Sequence, residues 1–587
     1  MCGIIGIWNF AERVDRDEFA RLRDMMTHRG PDGAGMYFNE SEHVALGHRR
    51  LSLIDLSKTG TQPVCNEDRT LWLTANGEIY NYKELRKELM ALGHIFSSTG
   101  DSEIILHAYE EWGTALLKRL KGMFAFCIYD QKERIFFIAR DRFGIKPCYY
   151  YHRNNTFLFA SELKSIVAYH DFKKEIDHSS VCNYLTYRYV PSPQTIWKDT
   201  YKLPPAHYLI LKEDQSLEIS EYWTPQPKHN HFDEKYLIER TDELLENSVK
   251  QHLESDVAVG SFLSGGYDSS ALVYYMNRLH YPTQTFSIGF KDWEQSEHKY
   301  AGIVSAAFQT EHENQILDSS SLDIVDQLMT YYDEPLADIS IVPTYFVSRL
   351  ASGKVKAILS GEGSDEIFAG YTWHRNPGSK PSLWERILPS QSDKGFSVEN
   401  YALAMAMGLF DKKNLQNTMG HDYQKDIPHD PFWFYNHHYK PEMGNIKSFQ
   451  YLDSKTFMGE LVLTKIDRAS MANSLEVRVP FLDHELFEFV FSLPEQDYIK
   501  KEKQKFLLYE NIKNSLPEEI LQRKKQGFVG PDSYYMNMEW YRHNLKNSRI
   551  VKDGLIQGMA LDEFFRNNDH WRLWKLLILE KWYKRWM

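Results

Sequence analysis

The chain has 587 residues and a net charge of −12, with 42% hydrophobic residues. That length exceeds what one hydrophobic core serves, so two or more domains are expected. The acidic balance, the absence of any apolar run long enough to cross a bilayer and the absence of a signal-like start argue against nucleic-acid, membrane and secreted classes; a cytoplasmic protein is expected.

Within residues 1–210, runs rich in aromatic and β-branched residues occupy 69–75, 123–129, 135–139 and 157–160, and helical spacing marks 82–92 and 104–112. Stacked sheets with helices packed outside them are expected, an α+β layered domain. Residues 211–234 follow Pro204-Pro205 and contain Pro225, Pro227 and Lys228-His229-Asn230-His231; they read as a linker. From 235 to 587 the text alternates. Residues 233–253 are helical in period, 257–263 read as a strand, 269–279 as a helix, and 283–290 and 355–359 as strands. That alternation predicts an α/β domain with a parallel sheet and helices on both faces. Residues 375–450 show no period. The C-terminal stretch places Trp571, Trp574, Trp582 and Trp586 in a basic helix, read as docking its aromatic face on the body. The five cysteines, Cys2, Cys65, Cys127, Cys148 and Cys182, form no Cys-x-x-Cys pair, which fits a reducing compartment rather than a disulfide framework or a cysteine zinc site.

Chemistry begins at Cys2. With Met1 trimmed, this residue carries a thiol and an α-amine, nucleophile and base together. Asn76-Gly77 follows a predicted strand; its side-chain amide and backbone N–H can serve an oxyanion, although Asn-Gly is also a common turn. His28-Arg29-Gly30-Pro31-Asp32-Gly33, His48-Arg49-Arg50-Leu51-Ser52 and Gly100-Asp101-Ser102-Glu103 add charge. In chain order, Cys2-Gly3-Ile4, His28–Gly33, Arg50-Leu51-Ser52, Asn76–Asn81 and Gly100-Asp101 resemble the glutaminase domain of amidotransferases with an N-terminal nucleophilic cysteine. The resemblance implies an αββα Ntn-hydrolase fold and hydrolysis of glutamine through a thioester. It implies Cys2 as nucleophile, Asn76 and Gly77 as the oxyanion hole, Arg50 on the substrate α-carboxylate and Asp101 on its α-amine, with Glu78 nearby.

In the second half, Ser264-Gly265-Gly266-Tyr267-Asp268-Ser269 ends one predicted strand and opens a helix, a setting that suits phosphate. It lacks the closing Lys of the G-x-x-x-x-G-K-[ST] loop and resembles the S-G-G-x-D-S loop of ATP pyrophosphatases. Ser360-Gly361-Glu362-Gly363-Ser364-Asp365-Glu366 also follows a strand, and Asp268 and Asp365 can jointly hold Mg²⁺. With Asp467-Arg468-Ala469-Ser470-Met471, the 474–483 segment and Lys503-Gln504-Lys505, followed by Arg523-Lys524-Lys525-Gln526-Gly527-Phe528, these loops resemble the synthetase domain of glutamine-hydrolysing asparagine synthetases. The resemblance implies ATP as substrate with Mg²⁺, an acyl-AMP intermediate and internal ammonia transfer. It implies nucleotide contacts from Leu263, Ile288, Ser360 and Gly361 beside the phosphate loop, Glu362 at the intermediate, and Lys505 or its rival Lys503 on developing charge. Small-molecule partners (glutamine, ATP and a carboxylic acid) are expected, with no nucleic acid and no membrane; a homodimer is allowed.

Two departures stand out. Tyr267 replaces the usual Leu of the phosphate loop, with packing consequences only. The 332–343 segment lacks the Thr-x-x-Arg that grips aspartate in well-known members; Asp338 falls close to that place, and Arg349 or Arg478 are candidates to supply the cation. Aspartate is the leading acceptor. The alternative keeps the chemistry and changes the acid to a sugar uronate or a natural-product acid.

Overall fold

Isoleucines and tryptophan at alternate positions open the chain as a strand buried on both faces: Ile4 and Trp8 point one way, Ile5 and Ile7 the other. The computed structural model of the protein describes residues 2–228, 230–375, 397–500, 503–523, 527–528 and 530–587. In chain order the first twelve strands are β1 (Gly3–Asn9), β2 (Gly33–Phe38), β3 (Val44–Arg50), β4 (Val64–Cys65), β5 (Leu71–Ile79), β6 (Gly122–Asp130), β7 (Ile135–Arg140), β8 (Tyr149–Arg153), β9 (Thr156–Ala160), β10 (Thr200–Lys202), β11 (His207–Lys212) and β12 (Leu217–Glu221). They form two antiparallel six-stranded sheets, ordered β10-β8-β9-β1-β3-β2 and β12-β11-β7-β6-β5-β4. Ile4, Trp8, Leu46, Phe136 and Phe159 fill the space between them. Helices Tyr82–Ala91 and Glu103–Trp112 cover the second sheet with Leu85, Leu89, Ile104 and Ile105. Helices Arg16–Asp24, Leu163–Val167 and His178–Tyr187 cover the first. The layers are αββα, as expected.

The linker expectation fails at its start. Position 210 lies inside β11, and β12 pairs with it from Leu217. Leu209 and Leu211 are fully buried between the sheets. The proline pair precedes this hairpin rather than marking a crossing. The first domain therefore runs through the end of β12.

Five further strands, β13 (Val259–Phe262), β14 (Gln284–Phe290), β15 (Glu311–Leu317), β16 (Ala357–Leu359) and β17 (Glu476–Arg478), make one parallel sheet ordered β15-β14-β13-β16-β17. Strand order reverses between β13 and β16, where α/β sheets bind ligands at the carboxyl ends of their strands. Asp233 caps the helix Glu234–His252 by accepting from the Tyr236 N–H. Within 375–450, residues 376–396 lie outside the described residues; the rest forms short helices, including Val398–Met405, Lys412–Thr418 and Trp433–His438.

The C-terminal helix His570–Trp586 is buried on more than its aromatic side. Trp582 donates to Asp333 O at 2.9 Å and lies 5.3 Å from the Trp197 ring. Lys575 Nζ reaches Leu185 O at 2.7 Å and Gly408 O at 2.8 Å. The helix thus joins both halves. A buried ion network joins them again: Arg29 holds Glu162 and, through both Nη atoms, Asp467, while Arg468 reaches Glu162 and Asp333.

Candidate active sites

Asn76 and Gly77 lie within β5, not at a strand-end turn. Position 77 needs glycine because a Cβ there would sit 2.0 Å from Met123 O on β6. Cys2 N–H donates to Asn76 Oδ1 at 2.9 Å, and Cys2 O accepts from Arg29 Nε at 3.1 Å. Asn76 Nδ2 is buried with no partner among the described residues, so a donor is left over beside the nucleophile. Cys2, Arg50, Gly77, Glu78 and Asp101 line one small cavity of about 40 Å³; Asn76 stands behind it. Arg50 Nη1 donates to Ser57 O at 2.7 Å, and Nη2 to Ile54 O at 3.4 Å and to Asp55 O. Asp101 accepts from the Ile79 N–H at 2.8 Å.

The electrostatics of this cavity are set by burial. Burial raises the Cys2 thiol, while the amino-terminal charge pulls it down. Burial, then Asp101 and Glu476, push Glu78 well above the usual carboxylate range. Burial raises Asp101 as well. Burial also opposes ionisation of Glu476, but the amino-terminal charge, Arg478 and Lys146 hold it at about 2. Arg478 reaches Glu476 at 2.7 Å and Glu78 at 3.4 Å. The carboxylate-rich wall suits an incoming ammonium. Glu476 was not singled out from the sequence; β17 is three residues long and carries no period.

The larger cavity, about 380 Å³, opens at the strand-order reversal. Leu263, Ser264, Gly266, Asp268, Ser269 and Ile288 line it from the β13–β14 side, and Ser360, Gly361, Glu362 and Asp365 from the β16 side. Gly265 does not line it. Its φ of +70° makes the turn, and a Cβ there would meet the Tyr300 backbone at 2.5 Å. Tyr267 also lines the cavity, and its hydroxyl donates to Leu521 O at 2.6 Å. Lys505 enters the cavity, its Nζ 2.5 Å from Asp268 and 2.7 Å from Asp365. The Lys505 ammonium therefore sits between the two carboxylates, and Asp268 and Asp365 are oxygen donors of the kind Mg²⁺ takes alongside phosphates. Lys503 points away to Tyr509, 3.1 Å from its hydroxyl. Lys524, Lys525 and Gln526 lie outside the described residues. Ser360 donates its hydroxyl to Glu362, and Ser360 N–H bonds Arg478 O at 2.9 Å.

Neither cation suggested for the acceptor reaches this cavity. Arg349 packs over the Phe346 ring at 4.8 Å, and Arg478 is committed to Glu476, His252 O and Glu254 O. Arg188 and Lys465 line the cavity instead. Arg188 comes from the first domain, in the left-handed cap of the helix His178–Tyr187. Its Nε is buried without a partner among the described residues, and its Nη1 lies 3.8 Å from Asp338. Burial works against the Asp338 carboxylate, yet Lys465 and Arg188 hold it below the usual range. Glu366 also lines the cavity, and Tyr371 donates to it at 2.8 Å. Burial, then Asp365 and Asp453, push it up to about 8. Its place in the second loop was visible in the sequence; its protonation was not, because that depends on burial.

The two cavities are connected through one helix. Lys465 and Ile466 of the helix Thr464–Met471 line the large cavity, and Asp467 beside them grips Arg29, which holds Cys2 O.

Comparison with known proteins agrees with this division. The family model described as "Asparagine synthase" matches residues 240–584, and that described as "Glutamine amidotransferase domain" matches residues 1–223. The chain is 35% identical to glutamine-hydrolysing asparagine synthetase 1 of Bacillus subtilis, over 99% of this chain and 96% of that one. It is 32% identical to asparagine synthetase 3 of the same organism, over 95% and 91%. It is 28% identical to the amidase chry2 of Gibberella zeae, over 94% and 90%.

Proposed function

The chain belongs to the asparagine synthase family of carbon–nitrogen ligases, and on that premise we propose that it makes an amide from glutamine nitrogen, ATP and a carboxylic acid, with aspartate as the acid and asparagine as the product. In the first cavity the Cys2 thiolate attacks the glutamine side-chain amide, with the freed α-amine of Cys2 taking the thiol proton. Asn76 Nδ2 and the Gly77 N–H receive the oxyanion, Arg50 takes the α-carboxylate, and Asp101 with Glu78 takes the α-ammonium. The C–N bond breaks, ammonia leaves, and water releases glutamate from the thioester.

In the second cavity ATP lies over the 264–269 loop, with Leu263, Ile288, Ser360 and Gly361 against the nucleotide. The acceptor carboxylate attacks the α-phosphorus, pyrophosphate departs, and an acyl-AMP remains. Lys505 neutralises charge on the reacting oxygens. Bound at Asp268 and Asp365, Mg²⁺ would supply further neutralisation on the phosphates. Ammonia then attacks the acyl carbon, with Glu362 at the intermediate, and AMP leaves. Arg188 and Lys465 offer cations to an acceptor α-carboxylate, and Asp338 an anion to its α-ammonium. That pairing of signs favours an amino acid.

The observation that carries the reading is the convergence of Lys505, Asp268 and Asp365 at the strand-order reversal, one helix from the cavity of Cys2. The lack of an arginine in 332–343 favours the second reading, the same chemistry on a non-aspartate carboxylate. Pyrophosphate release from processed protein with glutamine, ATP-Mg²⁺ and a panel of acids separates them. Release with aspartate alone supports the first reading, release only with another acid the second, and no release with any acid removes both.

A further inference from the structure

In the first domain, outside the residues that line either cavity, four side chains from three segments meet. Glu67 sits in the turn before β5. His94 follows the helix Tyr82–Ala91. His107 and Glu110 are three residues apart on one face of the helix Glu103–Trp112. One donor atom from each lies within 4.8 Å of all the others. His107 Nδ1 is 2.9 Å from Glu110 Oε2 and 3.8 Å from Glu67 Oε2, and His94 Nδ1 is 3.5 Å from Glu110 Oε2. We propose that Glu67, His94, His107 and Glu110 form a binding site for one divalent transition cation, zinc by its donor set.

The second shell separates this group from an ordinary cluster of surface carboxylates. Each of the four ligands has its remaining polar atom aimed at a separate group. His94 Nε2 faces Glu111 at 2.8 Å. His107 Nε2 faces Glu103 at 3.8 Å, and Glu103 is fixed by the N–H and hydroxyl groups of Ser97 and Ser98. Glu110 Oε1 accepts from Asn66 Nδ2 at 2.8 Å, and Glu67 Oε1 from the Ile95 N–H at 2.9 Å. The Glu111 carboxylate behind His94 orients that ring and raises its basicity toward a metal, and Glu103 places a negative charge near His107. His107 is fully buried, and its Nε2 has no hydrogen-bond partner among the described residues. Two imidazole nitrogens with two carboxylates suit zinc, whereas Mg²⁺ prefers oxygen alone.

The geometry requires a modest contraction. A tetrahedral zinc site with bonds of about 2.0–2.1 Å draws its donors to roughly 3.3 Å apart. The Glu67 side chain is 40% exposed and that of Glu110 26%, so both have room to turn inward and both leave a path from solvent. A proton is the competitor. Burial disfavours the imidazolium of His107, but Glu103, Glu110 and Glu67 hold it up to about 9. Metal uptake displaces that proton. Four protein ligands close the site, which makes it structural rather than catalytic. It would tie the 66–69 turn and the 93–96 segment to the helix that begins two residues after Asp101 of the glutamine cavity.

The test uses the full chain, stripped by chelator and dialysed against zinc at pH 8. One zinc per chain is expected by elemental analysis. Substitution by Co²⁺ should give the intense visible absorption of tetrahedral coordination, and the thermal midpoint should rise with zinc. Both partly exposed flanks of the site give variants that should keep the fold, checked by circular dichroism. Glu67→Gln should weaken binding by at least about tenfold, and Glu111→Gln, behind His94, by roughly 10–100-fold, with synthesis from added ammonium unchanged. Zinc content well below one per chain, or affinity and Co²⁺ spectrum unaltered in both variants, overturns the site and leaves a proton-neutralised cluster.

Discussion

At the scale of single residues, the proposed reaction rests on two side chains, one in each half. Cys2→Ala should abolish synthesis from glutamine and spare synthesis from added ammonium, read as AMP formed with each nitrogen source. Lys505→Met removes the charge that Asp268 and Asp365 converge on; AMP and pyrophosphate formation should fall about 10²–10³-fold with either nitrogen source, whereas Lys503→Met should leave it nearly unchanged. Both lysines stand in one short motif, and sequence had no means to choose. The left-handed backbone at Lys505 and its ion pairs separate them. Glu366 carries a pH signature. Its carboxyl titrates near 4.5 when unfolded and at about 8 in the fold. Between those values the folded chain holds the extra proton, so its contribution lowers stability as pH rises from the first to the second. Glu366→Gln should flatten that part of the stability profile, measured as the urea midpoint from pH 5 to 8. An identical slope in both proteins would show that Glu366 ionises normally.

At the scale of elements, strands were legible where aromatic and β-branched residues crowd them and illegible where polar residues or neighbouring prolines mask them. Residues 123–129 and 135–139 were legible as strands because aromatic and β-branched residues crowd them, and they became β6 and β7. The edge strand β15 is Glu-His-Glu-Asn-Gln-Ile-Leu, mostly polar and partly exposed, and β17 is Glu-Val-Arg; neither carries a clear hydrophobic signature. The misread hairpin is a third case. Prolines and polar turns around 202–232 looked like a crossing, yet Leu209 and Leu211 are core residues of the sandwich. Leu209→Ala should therefore cost about 2–5 kcal/mol, the range for a fully buried leucine, in chemical denaturation of the full chain. A true linker position would show almost no change.

At the scale of the whole molecule, the two halves share buried charges and a terminal helix. Arg29 is fully buried between Glu162 and Asp467 and also holds Cys2 O. Arg29→Met takes the guanidinium from buried Asp467, while Glu162 keeps Lys164 and Arg468, a loss of about 3–5 kcal/mol. It should also raise the glutamate-to-AMP ratio, because the nucleophile and the helix bearing Lys465 lose their shared partner; an unchanged ratio would show that this contact does not couple the sites. Sequence by itself determined the family and the class of reaction it points to. Cys2, the Ser264–Ser269 loop, Asp365 and the family resemblance are short-range patterns, since backbone turns and nucleophile activation depend on neighbours along the chain. Tertiary structure alone decided which cations reach the large cavity, which carboxyls burial pushes upward and which segments line both cavities. Arg188 reaches the second-half cavity from the first domain, and Glu476 in β17 acts on the Cys2 cavity from the second. Such pairings depend on contacts hundreds of residues apart that no local spacing encodes, and the burial that pushes Glu366 upward comes from packing rather than from its own loop.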